Sequence, residues 1–395
     1  MISSDHGGPY AKGERREHWL VFSDDWGRHP SSCQYLIEQL LDRIDVTWVN
    51  TIGMRPPRFD RVTLDRVWGK IRGNFNSRPR NPKQSKHSPQ PRVITPWMWP
   101  WYRRRWDRAL NRWLLGTQLN KLLSQGTQVD IALTTIPIVA DLIDQLPVNR
   151  WVYYCVDDFS LWPGLDQKTM GRLEQEVVLR VDRIVAASDR LQGRLNSLGR
   201  QSALCTHGVD IQKWQSTTVN PYSWPSNIRR PLALFWGVID RRLDTELIVD
   251  LCQRLPDLSL VLVGPRQQAD PVLEQLSNVH LVPAVKTDEL AAMAQSADCL
   301  VMPYAITPLT LAMQPLKLKE YLATGRPTIV RQLPSTEPWS NACDVAETHQ
   351  AFVESIRRCL KEGVSREQIV ARRSLQSESW HQKAAFFYEL VHDAN

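Results

Sequence analysis

A lysine and a glutamate stand three residues apart in "PLKLKEYLATGRP", residues 315–327. Helical spacing of the apolar residues predicts a helix over 315–324, with proline suited to its first position and glycine just beyond its end. Lys317 then lies in the first turn, where a cation opposes the helix dipole unless an anion is bound nearby. Glu320 lies roughly 7–8 Å along the axis, within reach of the ribose of a nucleotide whose phosphates sit at the N-terminus. The pair therefore indicates a nucleotide site. The alternative is that Glu320 is an ordinary surface residue of an amphipathic helix.

The segment before this helix is predicted to place its N-terminus at a ligand-binding edge. Residues 299–304, "CLVMPY", are typical of a buried strand, and a long loop follows them. Ligands of open α/β sheets bind beyond the carboxyl ends of the strands. The unpaired N–H groups around Gln314 and Leu316 are therefore predicted to face a bound diphosphate.

Two adjacent arginines follow the apolar run "LALFWGV", residues 232–238. A guanidinium group at the end of a strand is suited to bidentate binding of phosphate oxygens. Arg241 and Arg242 are both candidates, and we favour Arg242; Gly237, in the same turn, belongs to the predicted site. The alternative is a solvated arginine at the start of a helix.

A polar loop, "SDDWGRHPSS" (23–32), follows the first predicted strand. Gly27 would let the backbone approach a ligand closely, while Arg28 and His29 could contact a charged group, His29 as a candidate catalytic residue. Alternatively, the two aspartates could cap the loop and Ser32 could cap the next helix, because aspartate and serine are common capping residues.

Two neighbouring carboxylates form the last candidate cluster. Asp157 and Asp158 follow the apolar run "WVYYCV" (151–156), at the predicted carboxyl end of a strand. Either could act as general base toward an acceptor hydroxyl or orient a sugar. The alternative is a paired aspartate that only makes a turn.

These candidates need a scaffold of parallel strands, and the sequence supplies two sets. Short apolar runs alternate with helical patterns on both sides of residue 220, which predicts two doubly wound, Rossmann-like α/β domains. The predicted division is an N-terminal domain over 1–216, a linker over 217–231 and a C-terminal domain over 232–376. A basic, Trp-rich insertion covers 55–115, of which 55–95 is predicted to be an irregular loop. The final helix, within 377–395, is predicted to cross back onto the N-terminal domain.

Bulk composition narrows the class of protein. The 395 residues are 42% hydrophobic and 23% charged, and no run of 18 apolar residues predicts a membrane span. The polar N-terminus lacks the apolar core of a signal peptide. Seven cysteines occur singly, mostly inside apolar runs, which predicts buried reduced thiols and a cytoplasmic location. Neither metal-spaced ligands nor a P-loop is present.

The C-terminal half resembles group 1, family 4-type glycosyltransferases of GT-B fold. The resemblance rests on "EYLATGRP", which is similar to the family's Glu-Ala-x-Ala-x-Gly-x-Pro, on "PLKLKEYLA", and on "THGVD" at 206–210. It is strong after residue 183 and weaker before it. It implies two Rossmann-like domains facing across a cleft.

The resemblance also implies an activity and roles for individual residues. It implies transfer of a sugar from a nucleoside diphosphate sugar to a saccharide or lipid-linked acceptor, without metal or other cofactor. Glu320 would bind the ribose, and Pro283, Ala284 and Val285 would line the base pocket. Ala312 stands where the family carries its first glutamate, so donor identity and stereochemical outcome are left open. The rival interpretation is a non-catalytic GT-B scaffold that binds polyanions or a membrane surface.

One stretch fits none of these roles. "PWMWPWYRRRWDRALNRWLL" (96–115) holds five tryptophans and five arginines, and residues 55–112 carry sixteen lysines and arginines against three aspartates. An amphipathic helix is predicted from Arg104, with four arginines on one stripe and Trp106 and Trp113 on a side that partly packs on the sheet. Peripheral contact with an anionic membrane is favoured over nucleic-acid binding.

Overall fold

The computed structural model describes residues 15–27, 31–50, 89–124, 128–162, 165–215 and 222–393. The chain divides into two compact units. The first comprises residues 1–154 and 164–184, and the second comprises residues 155–163 and 185–395. This division groups residues 185–215 with the second unit; the predicted domain boundaries at 216 and 231 stay predictions.

The described strands form two parallel sheets. One has seven strands in the order β3-β2-β1-β4-β5-β6-β7, and the other has six in the order β10-β9-β8-β11-β12-β13. The strands are β1 (Glu17–Ser23), β2 (Ile44–Asn50), β3 (Arg92–Ile94), β4 (Val129–Thr134), β5 (Val148–Cys155), β6 (Arg183–Ala186), β7 (Ala203–Leu204), β8 (Leu232–Trp236), β9 (Ser259–Val263), β10 (Val279–Val282), β11 (Cys299–Met302), β12 (Thr328–Arg331) and β13 (Asp344–Ala346).

Helices alternate with these strands along the chain. They are α1 (Ser32–Leu40), α2 (Arg105–Leu123), α3 (Gln167–Arg180), α4 (Asp189–Asn196), α5 (Ile211–Gln215), α6 (Thr245–Arg254), α7 (Thr287–Ser296), α8 (Pro308–Ala312), α9 (Lys317–Ala323), α10 (His349–Glu362), α11 (Arg366–Ala371) and α12 (Trp380–His392). Short 3-10 helices cover Pro137–Leu142, Pro271–Glu274, Glu337–Trp339 and Arg372–Glu378. This alternation around parallel sheets confirms the predicted doubly wound class.

Burial explains why the apolar runs form strands. In the second unit every residue of β8, β9, β11 and β12 is buried, as expected for strands covered by helices on both faces. All seven cysteines are buried free thiols, as predicted.

Two predictions of local structure in the first unit are wrong. The segment 55–95 was expected to lack regular structure, yet its end forms β3, which pairs with β2 through Val93 and Trp48. Edge pairing supplies backbone hydrogen bonds that a short, polar sequence does not signal. The cap of α1 is Ser31, whose hydroxyl accepts from the Gln34 N–H, so Ser32 is not the cap.

The last helix is held within the second unit by residues 205–209. The Val209 N–H donates to the Glu378 carbonyl at 2.9 Å, and Cys205 Sγ lies 3.9 Å from the Lys383 carbonyl. A side chain at Gly208 would overlap the Trp380 ring, so glycine is needed there for close approach. The start of α12 therefore packs directly on the "THGVD" segment.

Candidate functional site

The candidate site is built at the carboxyl ends of β8, β9 and β11. Gly237 and Gly264 directly follow β8 and β9, with φ values of 138° and 148° that favour glycine. The Gly237 N–H donates to the Val263 carbonyl and the Gly264 N–H to the Val282 carbonyl, both at 2.9 Å. A Cβ on Gly264 would overlap the Gly237 carbonyl oxygen. Two backbone turns thus approach each other without side chains between them.

Lys317 reaches over this glycine turn. Its ammonium lies 4.5 Å from the Phe235 ring centroid and 5.2 Å from that of Tyr304. A Cβ on Gly237 would collide with Lys317 Nζ, so the glycine leaves the space that the ammonium occupies. Cation–π contacts with two rings hold the charge in place at the strand ends. A fixed cation beside exposed backbone is suited to binding an anionic oxygen.

Glu320 lies one helical turn further on and is oriented by an indole. Trp236 Nε1 donates to Glu320 Oε2 at 3.2 Å. The Trp236 ring is itself held 4.0 Å from Tyr321 and stacks 5.0 Å from Trp214. Burial raises the pKa of the Glu320 carboxyl, while Trp236 and Lys317 oppose the shift. The second carboxylate oxygen has no hydrogen-bond partner among the described residues, so it could accept from a hydroxyl group of a ligand.

Tyr304 adds a polar group that the fold itself leaves without a partner. Its side chain is fully buried at the end of β11, and its hydroxyl makes no hydrogen bond to any described residue. A buried hydroxyl without a partner costs about 1–3 kcal/mol. Ligands and ordered water are the usual partners of such groups. Together with Lys317 above its ring, Tyr304 marks this strand end as a binding position.

The two candidate arginines differ in placement. Arg242 is largely buried, and its Nε and one Nη donate to Asp240 at 2.9 Å each. Burial opposes its charge, but Asp240, Tyr304 and Asp157 outweigh that effect and raise the pKa of Arg242. Arg241 is exposed. The geometry therefore favours Arg242, in line with the sequence-based preference.

The two candidate aspartates are also in different environments. Asp158 is buried; its Oδ1 accepts from the Ser160 N–H at 3.1 Å and its Oδ2 lies 3.4 Å from Arg194 Nε. Its carboxylate is thus engaged in a turn and an ion pair. Asp157 is half-buried and close enough to Arg242 to raise the pKa of that guanidinium. Asp157 is the better placed of the two to meet a ligand held by Arg242.

The remaining predicted residues of the second unit lie around these groups. Pro283, Ala284 and Val285 directly follow β10, whose Val282 carbonyl accepts from Gly264. Gln314 and Leu316 immediately precede α9 and are half-buried. The helix begins at Lys317 and ends at Ala323, so the predicted span 315–324 was too long by two residues at its start and one at its end. Helix ends are poorly specified by periodicity alone.

The predicted residues of the first unit lie at the end of β1. Gly27 is exposed with φ 73°, and its N–H donates to Gln34 Oε1 at 3.1 Å. The Asp25 carbonyl accepts from the Gln34 side-chain amide at 3.3 Å. Gln34 therefore fixes this loop from α1. Arg28 and His29 lie outside the described residues.

Comparison with known proteins identifies the second unit. Residues 231–362 match the sequence model of a family described as "Glycosyl transferases group 1". This region contains Gly237, Arg242, Lys317 and Glu320. Residues 231–362 are therefore similar to group 1 glycosyl transferases, and we call them the group 1-like region.

One sequence relative is also a glycosyltransferase by name. It is a candidate teichuronic acid biosynthesis glycosyltransferase, TuaH, of Bacillus subtilis strain 168, 28% identical over 179 residues. The match covers 43% of this chain and 45% of the relative, less than half the length of either.

Solved structures extend the likeness to the whole chain. Sucrose-phosphate synthase from Thermosynechococcus elongatus has a TM-score of 0.69 at 16% identity, covering 95% of this chain and 98% of that one. HepE from Anabaena, in complex with UDP-glucose, has a TM-score of 0.62 at 11% identity, covering 94% and 99%. At such identities the likeness shows the fold, which is GT-B, as the sequence resemblance implies.

Ala312 has a structural role within the group 1-like region. It is buried at the end of α8, a single turn that begins at Pro308. Thr307 caps this turn, and the Thr307 N–H donates to the Thr310 hydroxyl oxygen at 2.9 Å. The position where the family's first glutamate falls therefore holds a buried methyl group, with no carboxylate to offer a ligand.

The sequence patterns did not predict several residues of the site in the group 1-like region. The missed residues carry or orient the polar groups of the site; they are Trp236, Tyr304, Asp240 and Tyr321. Each lies in a run whose pattern predicts a core segment or a loop. The spacing of Asp240 and Arg242, two apart after a strand, is the one signal that could have indicated a pre-paired guanidinium.

A buried ionic cluster supports the back of helix α9. The Lys319 ammonium donates to the Glu378 carboxylate and the His207 carbonyl, and Lys383 Nζ donates to Glu378 at 3.0 Å. Burial lowers the pKa of Lys319 to about 8 despite Glu378. This cluster fixes the helix that carries Lys317 and Glu320 to the start of α12, which positions both side chains indirectly.

We expect this cluster to make folding sensitive to mild acid. Burial, reinforced by Lys319, lowers the pKa of His207 to about 3. Because the folded pKa lies below the unfolded value near 6.5, the unfolded chain binds a proton first as pH falls. The free energy of unfolding should therefore decrease by up to about 1.4 kcal/mol per pH unit between pH 6.5 and 5. Urea denaturation at several pH values measures this slope.

Two variants separate His207 from other sources of acid sensitivity. His207→Gln should reduce the slope between pH 6.5 and 5, because burial also lowers the pKa values of His18 and His280, which supply the remainder. His381→Gln, at an exposed position of α12, should keep the full slope. An unchanged slope in His207→Gln would show that this imidazole is not the responsible group.

No metal centre or membrane-spanning helix occurs among the described residues. Within these ranges, no three His, Cys, Asp or Glu side chains are grouped so as to hold a metal ion. In the same part of the chain no helix has the length and apolar character needed to cross a membrane.

Proposed function

We propose that this chain transfers a sugar from a nucleoside diphosphate sugar to a saccharide or lipid-linked acceptor. The observation that carries the proposal is the pairing of a fixed Lys317 ammonium over Gly237 with a Glu320 carboxylate oriented by Trp236. One group suits a diphosphate and the other suits vicinal hydroxyls. The complex of the similar structure HepE with UDP-glucose supports a uridine donor.

Each residue of the site would then have a defined task. Lys317 and Arg242 would bind the diphosphate and stabilise the negative charge that develops on it as it leaves. Such electrostatic stabilisation is usually the largest contribution to catalysis. Glu320 would accept hydrogen bonds from the ribose, and the Tyr304 hydroxyl would donate to a phosphate or sugar oxygen. Residues 283–285 would line the base. We propose that these cations make a metal ion unnecessary.

The acceptor side is less fully defined by the described residues. We propose Asp157 as the group that removes the proton of the acceptor hydroxyl or orients the transferred sugar. Gly27, Arg28 and His29 stay candidates for contacts with the acceptor. The similarity to TuaH, whose name refers to teichuronic acid biosynthesis, supports a polysaccharide product. A cytoplasmic location fits the reduced cysteines.

The buried Ala312 is the observation that favours a second candidate function. Without the family's first glutamate, the chain could be a scaffold that binds a nucleotide or a polyanion and catalyses no transfer. Only the transferase turns over a bound donor, and a scaffold for polyanions need not bind one, so assays of donor binding and turnover separate the two functions.

The two adjacent arginines offer a matched test of the site. Saturation-transfer NMR with UDP, GDP and dTDP sugars identifies the donor, and donor hydrolysis measures turnover. Arg242→Gln should weaken donor binding by roughly tenfold or more, since a buried charge-assisted contact contributes about 1.5–3 kcal/mol. Arg241→Gln, exposed and one residue away, should bind within about twofold of the unchanged protein.

The outcomes of this test are distinct. Binding lost only in Arg242→Gln, together with hydrolysis, supports the transferase. Binding without hydrolysis or transfer by any donor supports the scaffold. No nucleotide binding by the unchanged protein overturns the transferase and leaves the scaffold that binds polyanions.

A further inference from the structure

The first unit exposes a strip of tryptophans that no described part of the chain covers. Trp97, Trp106 and Trp113 have 55%, 49% and 63% of their surface exposed, among the largest values for apolar residues here. Indole rings normally lose most of their exposure on folding, because each buries a large apolar area. Three exposed indoles in one segment indicate a surface that meets a partner.

The strip is straight because it follows one helix. Trp106 and Trp113 are seven residues apart on α2, so they lie on the same side about 10 Å apart along its axis. Arg105 and Arg112 repeat the spacing one residue earlier and are both exposed. They form a parallel row of cations beside the tryptophans. We call these two rows, with Trp97, the Trp–Arg face.

The buried side of the same helix lies away from Trp106 and Trp113 and consists of Leu115, Gly116, Leu119, Leu123, Asp107 and Asn111. Asp107 and Asn111 are buried, although both are polar. Trp99 Nε1 donates to Asp107 Oδ1 at 2.8 Å, and the Trp99 N–H donates to Asn111 Oδ1 at 2.7 Å. The segment before α2 is thus bound along the helix through Asp107 and Asn111.

The backbone of Trp97 is bound to the same helix. Its backbone N–H donates to Gln118 Oε1 at 2.8 Å, and Gln118 Nε2 donates to the Trp97 carbonyl at 2.9 Å. Trp106 and Trp113 are exposed, whereas Leu110 and Leu114, on the same predicted side, are half-buried. The buried leucines of the helix and the hydrogen bonds of Asp107, Asn111 and Gln118 together set its rotation, which leaves the two tryptophans outside.

We propose that the Trp–Arg face is a docking surface for an anionic lipid bilayer. Indole rings are stable at the headgroup level, where one edge meets acyl chains and the N–H meets water. Arginines in a row beside them would lie at the depth of the lipid phosphates. A straight row on one helix face contacts a flat surface along its whole length. This inference is independent of the proposed transfer, because it concerns binding and not turnover.

Two other partners fit the same face less well. A second copy of the chain would bring like charges together, because the cationic rows would meet each other at a twofold interface. Single-stranded nucleic acid stacks bases on separate rings at intervals of one base, and the two indoles on α2 lie farther apart than that. Both partners remain outcomes of the test.

Vesicle sedimentation with the full chain tests the proposal. Vesicles of phosphatidylcholine with 30% phosphatidylglycerol should bind the chain, while pure phosphatidylcholine should bind it much more weakly. Trp106→Ser/Trp113→Ser should lower the partition coefficient at least tenfold, and Arg105→Gln/Arg112→Gln should lower it about tenfold or more. Added salt should weaken binding as well.

Matched controls keep the test specific. Phe386→Ser removes an exposed aromatic residue from α12, and Lys361→Gln/Arg373→Gln removes the same two charges from the second unit. Both controls should bind vesicles like the unchanged chain. The tryptophan variant should keep the thermal midpoint of the unchanged protein, since its residues are exposed.

Several results would overturn the proposal. Equal binding of the Trp106→Ser/Trp113→Ser variant and the unchanged chain would exclude this face as the lipid contact. A concentration-dependent dimer that the variant abolishes would assign the face to a second copy. Retention of a labelled oligonucleotide, lost in the variant while vesicle binding is absent, would assign it to nucleic acid.

Discussion

Glu320→Ala should lower the affinity of this chain for the proposed nucleoside diphosphate sugar donor by about hundredfold. The carboxylate would accept charge-assisted hydrogen bonds from two ribose hydroxyls, and each contributes about 1.5–3 kcal/mol. Removal of the side chain also leaves the Trp236 indole N–H without its acceptor. Isothermal titration with the donor found by NMR measures the change.

A second substitution separates binding by Glu320 from its orientation by the indole. Trp236→Phe keeps an aromatic ring against Tyr321 but removes the N–H that holds the carboxylate, so we expect a loss of about tenfold. Glu289→Ala, at an exposed position of α7, should have no effect on affinity. Full affinity in Glu320→Ala, with an unchanged thermal midpoint, would remove Glu320 from the donor site.

Gly264→Ala should destabilise the second unit by roughly 3 kcal/mol or more. Its φ of 148° strains any other residue, and the added Cβ would overlap the Gly237 carbonyl oxygen. Backbone atoms at the ends of two paired strands have little room to move apart. The free energy of unfolding in urea gives the magnitude.

Gly325→Ala provides the control for that substitution. Gly325 also has a positive φ, 77°, but a Cβ there meets nothing within 4 Å. Its cost should therefore be that of the left-handed conformation alone, about 1–2 kcal/mol. Equal destabilisation by the two substitutions would mean that the turns after β8 and β9 are not packed as tightly as described.

Much of the fold could be predicted from periodicity. Strands such as β8 and β9 are continuous apolar runs, because helices cover both faces of their sheet, and the helices between them repeat apolar residues at a spacing near 3.6. The strand β3 could not be predicted, since a run of three residues, one arginine and two apolar residues, is too short to carry a pattern. Its pairing depends on backbone hydrogen bonds with β2.

The candidate site was predictable only where the sequence has a motif. Lys317 and Glu320 were found from their spacing and from the resemblance of "PLKLKEYLATGRP" to known transferases. Tyr304 and Trp236 were not, because a buried aromatic residue in an apolar run reads as core. Their function depends on which polar atoms lie nearby, and those atoms belong to distant parts of the chain.

The sequence by itself determined the fold class, the motif that carries the anion and hydroxyl contacts, and an unusual concentration of tryptophan and arginine at 96–115. Only the tertiary structure decided which arginine is pre-paired, which aspartate is engaged in a turn, and which side of α2 faces outward. The physical reason is that composition and spacing fix what each segment can bury. The rotation of a helix and the partner of a charge depend on hydrogen bonds such as those of Asp107 and Asp240, which form between segments only in the folded chain.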